Sequence, residues 1–115
     1  MSDAPPRELG RVRGRTPGPT LMVTAGIHGN EPGGLDAARR VLDALAARPW
    51  LVRGELVAFS GNRAALREGR RSLVKDLNRI WTTARVTQLR AHPEDFTEAE
   101  DGEQREILAA LDDAL

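Results

Sequence analysis

Apolar residues recur along this chain with two different periods, and the changes between them outline the elements. Thr20 to Ala25 is short, apolar and partly β-branched, the pattern of a strand covered on both faces. From Asn30 to about Ala47 the period lengthens to that of a helix. Leu35, Ala38, Leu42 and Leu45 form one stripe, and Val41 and Ala46 widen it. Asn30 is a fitting N-cap, Pro32 is tolerated in the first turn, and Arg48-Pro49 ends the helix. Gly54 to Ser60 then returns to a strand pattern. Strand, helix, strand in this order predicts a βαβ unit with a right-handed crossover.

The flanking segments are less regular. Residues 1–8 hold two prolines and no periodicity, and are expected to be disordered. Leu9 to Thr16 alternates loosely, as an edge strand does, and Pro17-Gly18-Pro19 reads as a turn. Asn62 to Leu66 predicts a short helix or turn, and Arg67 to Lys75 a charged loop. Asp76 to Trp81 carries three apolar residues, so part of it packs inward. Thr82 to Arg90 predicts a short helix, and Ala91 to Phe96 a linker. Thr97 with Glu100 spells a capping box for a last helix, whose stripe is Ile107, Leu108, Leu111, Ala114 and Leu115. Two core strands and one edge strand make a thin sheet for a parallel α/β domain, whose two faces both need cover. The pattern therefore predicts an α/β fold, with residues 1–115 as the N-terminal part of a larger domain.

Composition narrows the chemistry. The formal net charge is zero, with 17 basic and 17 acidic residues, so nothing points to nucleic acid or an anionic membrane surface. No apolar run approaches the roughly 20 residues of a membrane span, and the first residues lack the apolar stretch of a signal peptide. A cytoplasmic location is the default expectation. There is no cysteine, so a bound metal must draw on His, Asp or Glu. The only histidines are His28 and His92.

His28 and Glu31 fall in the handover from the first core strand to its helix, within Gly26-Ile-His-Gly-Asn-Glu31. Imidazole and carboxylate are ordinary zinc ligands, and in open α/β sheets ligands gather at the carboxyl ends of strands. A plain polar corner, with Glu31 answering the helix dipole, is the alternative. Arg71 and Arg79, with Asn78 beside the second, are candidates to grip a carboxylate, or else solvated surface groups. Arg79 is the stronger of the two, since it lies between Leu77 and Ile80-Trp81. Asp76 either backs a ligating histidine or caps a turn, and Asn62 either supports the site or caps a helix. His92, before a proline in a linker, is a poor third ligand. Ser60, Ser72 and Thr24 have no partners that would make a nucleophile, and no phosphate-binding glycine loop is present.

Gly26-Ile-His-Gly-Asn-Glu31, Gly61-Asn62, Arg71 and Asp76-Leu-Asn-Arg79 occur in the order and approximate spacing of the succinylglutamate desuccinylase/aspartoacylase family. The resemblance covers roughly residues 20–82, and H-G-N-E combined with D-L-N-R is far more specific than either motif alone. It implies a partial α/β/α sandwich of the zinc carboxypeptidase-like type with a mainly parallel sheet. It implies zinc held by His28 and Glu31, and a small acylated amino acid gripped by Arg71, Asn78 and Arg79. The reaction implied is amide hydrolysis by a zinc-activated water. In this family the third ligand is a histidine on a later strand and the general base a still later glutamate. Both are expected beyond Leu115, so the 115-residue chain is expected to be inactive alone. Arg63 stands where the family often has proline, a loop detail. A peptidase of the same superfamily, a non-catalytic carboxylate-binding piece and a siteless polar corner are the competing expectations; oligomeric state is left open.

Overall fold

The computed structural model describes residues 3–115. Strand β1 (Glu8–Arg13) is followed by β2 (Thr16–Ala25), α1 (Gly33–Ala46) and β3 (Arg53–Ser60). After β3 come α2 (Arg63–Glu68), α3 (Thr83–Ala91) and α4 (Ala99–Ala114), with single 3-10 turns at Pro49–Leu51, Leu77–Arg79 and Pro93–Asp95. The βαβ unit is present: β2 and β3 pair in parallel, Leu21 against Leu56 and Val23 against Ala58, with α1 between them in sequence. Strand β1 pairs antiparallel on the other side of β3, giving the order β1-β3-β2. The fold is thus α/β, but with one parallel and one antiparallel pairing the sheet is mixed rather than mainly parallel.

The central position of β3 sets where the core sits. Val57, Ala58 and Phe59 are each at most 2% exposed. Ala58 joins Val12 of β1 and Leu42 of α1 in a cluster to which Leu9, Ala38, Leu45, Val52 and Leu56 add. Alternation sends Val57 and Phe59 to the opposite face, which is closed around them as well. Strand β2 corrects the sequence expectation of a strand covered on both faces. It is the other edge of the sheet, and Leu21 and Val23 remain 63% and 37% exposed. Pro17-Gly18-Pro19 is not a turn but the irregular start of β2, where the register with β3 shifts between Thr16 and Thr20. An edge strand tolerates those prolines because their missing N–H groups need not face a partner.

Three further boundaries differ from the sequence pattern. Helix α1 starts after Pro32, with no side-chain cap, rather than at Asn30. The capping box of α4 is Glu98 with Asp101, one residue beyond Thr97 and Glu100. Within the expected disordered stretch 1–8, Met1 and Ser2 lie outside the described residues. Pro5 and Pro6 accept hydrogen bonds from Arg63 Nε and Ser60 Oγ, and Arg7 pairs with Glu103.

Candidate metal centre

The corner between β2 and α1 is shaped by two glycines. Gly26 ends β2 with φ at +75°, a left-handed conformation that glycine adopts without penalty. Gly29 is needed for close approach: a Cβ there would lie 2.2 Å from the backbone of Ala65 and of Arg70. Its N–H donates to the Arg71 carbonyl at 3.1 Å, so the corner is stitched to the segment that follows α2. His28 is held between these glycines, 8% exposed.

Both ring nitrogens of His28 face carboxylates. Nδ1 is 3.3 Å from Glu31 Oε2, and Nε2 is 2.9 Å from Asp76 Oδ1. In the tautomer with the proton on Nε2, His28 donates to Asp76 and the Nδ1 lone pair is directed to the Glu31 side. Asp76 is kept below the usual carboxylate range by the His28 hydrogen bond and by the Asn78 N–H. Desolvation opposes them, and the neighbouring Arg71 guanidinium helps. The donor set is nitrogen and oxygen, as zinc accepts. Two donors at about 2.0–2.2 Å from a tetrahedral zinc stand roughly 3.3–3.6 Å apart, the separation of Nδ1 and Oε2. The pair therefore fits as two ligands of such a site, with Asp76 orienting the imidazole from behind.

The arginines gather at this corner to different degrees. Arg71 lies 3.7 Å from both Glu31 and Asp76, half exposed. Arg79 Nε lies 3.7 Å from Asp76, but its side chain is 82% exposed. The apolar neighbours that single out Arg79 in the sequence do not bury it, since within its 3-10 turn only Leu77 points inward. Asn78 is exposed, and its N–H donates to Asp76 at 2.9 Å. Asn62 is not a direct partner of the pair. It is fully buried, its Oδ1 accepts from the Ala65 N–H to cap α2, and its Nδ2 donates to Glu100. His92 pairs with Glu94 at 3.5 Å in an exposed His92–Glu94–Asp95 group, whose ligand atoms lie within 4.8 Å of one another.

Sequence reasoning missed Glu100. Its T-x-x-E context reads as a cap, yet the side chain is buried and bonded to Asn62, Leu73, Val74 and Lys75. The one available signal was a glutamate on the stripe side of a helix, which by itself is ambiguous.

The family model of the succinylglutamate desuccinylase/aspartoacylase catalytic domain matches residues 17–113. A succinylglutamate desuccinylase of Pseudomonas putida is 36% identical over 61 residues, 53% of this chain and 18% of that protein. One of Pseudomonas aeruginosa is 31% identical over 74 residues, 64% of this chain and 22% of the relative. One of Erwinia tasmaniensis is 36% identical over 61 residues, again 53% and 18%. The matched regions make up about a fifth of the length of these curated relatives. No solved structure matches the chain.

Proposed function

Since the chain belongs to the succinylglutamate desuccinylase/aspartoacylase family through its catalytic domain, we propose that it forms the metal-holding wall of a zinc-dependent hydrolase of N-acyl amino acids. The observation that carries this reading is the His28–Glu31 donor pair at 3.3 Å with Asp76 on the far nitrogen. Zinc, when bound, supplies a Lewis acid for the amide carbonyl and an acidified water. The chain's own residues do the rest of the work on this wall. His28 binds through Nδ1 and Glu31 through its carboxylate. Asp76 keeps the proton on Nε2 and fixes the ring plane. Arg71 and Arg79, with Asn78, receive the substrate carboxylate, a task that suits exposed guanidinium groups at the rim. On this reading the third ligand and the general-base glutamate belong to the rest of the family's domain, which completes the α/β/α sandwich, and the whole protein works in the cytoplasm.

Calorimetric zinc titration of the chain and of His28→Ala tests the metal site. Zinc uptake that depends on His28 is the expected result, and uptake indifferent to His28 sinks the assignment. For the whole protein, N-succinylglutamate and N-acetylaspartate are assayed beside short peptides. Turnover of peptides alone would move the assignment to the peptidase branch, and a metal-free carboxylate binder would show neither zinc nor turnover.

A further inference from the structure

Glu100 is 0% exposed, in the first turn of α4, and still carries a carboxylate. Its two oxygens accept four hydrogen bonds. Oε2 takes Asn62 Nδ2 at 2.7 Å and the Leu73 N–H at 2.8 Å. Oε1 takes the N–H groups of Val74 at 2.9 Å and Lys75 at 3.0 Å. Three successive backbone N–H groups converge on one carboxylate, an anion-binding nest filled by the protein's own side chain. Four donors saturate the lone pairs of a carboxylate, and no neutral side chain of the same shape can do that. The segment so held runs between Arg71 and Asp76. On its outer side Lys75 Nζ binds Asp101 and Glu98, both at 2.9 Å.

We propose that Glu100 is a positioning residue for the metal corner. With Asn62 it locks residues 73–75, so that Asp76 meets His28 Nε2 and Arg71 stands beside Glu31. This rests on reading His28 and Glu31 as the metal pair. The lock joins the end of β3, through Asn62, to the segment carrying Asp76, and so relates the two walls of the corner. A Glu100→Gln side chain turns one oxygen into an NH2 group facing at least one N–H donor, which pushes the segment away from α4.

The test uses the isotope-labelled 115-residue chain without metal, and reads the His28 ring nitrogens by NMR together with amide exchange in β3. Asp76→Asn marks the ring shifts that follow when Asp76 no longer holds Nε2. Glu100→Gln is expected to move the His28 ring signals in the same direction while Val57 and Phe59 amides stay protected. It should also weaken zinc binding roughly 10–100-fold, as loss of an orienting partner does. The pair Asn62→Asp with Glu100→Gln restores one donor–acceptor match and should recover part of both effects. A folded Glu100→Gln chain with parent His28 signals and parent zinc affinity overturns the proposal. If Glu100→Gln costs the β3 protection, Glu100→Asp replaces it, keeping the charge but shortening the reach; parent ring signals there overturn the proposal equally. If the parent chain takes up no zinc, the metal reading fails, and the ring signals alone still decide the role of Glu100.

Discussion

At His28 the chemistry depends on which nitrogen is engaged by which carboxylate. Asp76 at 2.9 Å is a firm partner of Nε2, whereas Glu31 at 3.3 Å from Nδ1 stands at the spacing of a second ligand. Asp76→Asn should therefore lower zinc affinity roughly 10–100-fold by calorimetry while leaving the fold intact. Glycine at 29 is required by space. Gly29→Ala places its Cβ 2.2 Å from backbone atoms that cannot rotate aside. The expected outcome is loss of His28-dependent zinc uptake together with a lowered thermal midpoint. At Gly26 the left-handed backbone alone makes alanine cost about 1–2 kcal/mol, measurable by urea unfolding.

Among the elements, the first turn of α4 does more than start a helix. Glu98 and Asp101 cap it reciprocally, Asp101 also takes Lys75 and Arg85, and Glu100 takes the 73–75 segment. Burial pushes the Glu100 carboxyl up, but the bonds from Leu73, Asn62, Lys75 and Val74 outweigh it and hold the group below its ordinary value of 4.5. Burial likewise raises Asp101, and Lys75, the Glu98 N–H and Arg85 bring it below 3.8. A lowered folded value means stability that is complete above the unfolded value and lost as pH falls through the folded one. Urea midpoints should therefore be level near neutrality, begin to fall as pH approaches 4.5 and drop further below 3.8. Glu100→Gln should flatten that acid limb. Asn62→Ala should cost about 1 kcal/mol for the α2 cap, with a further loss because Glu100 also loses a donor.

The whole molecule is a slab, 44 × 34 × 19 Å, with a radius of gyration of 15.1 Å. About 13 Å is typical of a compact domain of this length. The thin dimension leaves an apolar groove of about 600 Å³ along β2 and α1, lined by Leu21, Val23, Ala38, Val41 and Leu56, with Glu31 among its lining residues. An exposed apolar edge strand is a template for pairing. The 115-residue chain should self-associate as its concentration rises, seen by sedimentation. Leu21→Lys should reduce that association and change stability by less than about 0.5 kcal/mol, because Leu21 is already 63% exposed. No helix among the described residues is long and apolar enough to cross a membrane.

The sequence alone determined the βαβ unit, the buried centres of the two stripes (Leu35 and Leu42 in α1, Ile107 and Leu108 in α4, with Val41 and Leu115 left exposed) and the placing of His28 and Glu31 at a strand-to-helix corner. All of these follow from spacing between near neighbours, which periodicity and turn chemistry record directly. Asp76 behind His28 was legible only as one of two options, because the contact spans 48 positions. Tertiary structure decided what depends on distant partners. It made β2 an edge and β3 the centre, turned Arg79 outward, and gave Asn62 to Glu100. It also moved the α4 cap by one residue, since Glu100 is engaged by three backbone N–H groups 25 to 27 positions away. A local pattern reports which bonds a side chain can make; which partner it meets is settled when the 73–75 segment folds against α4.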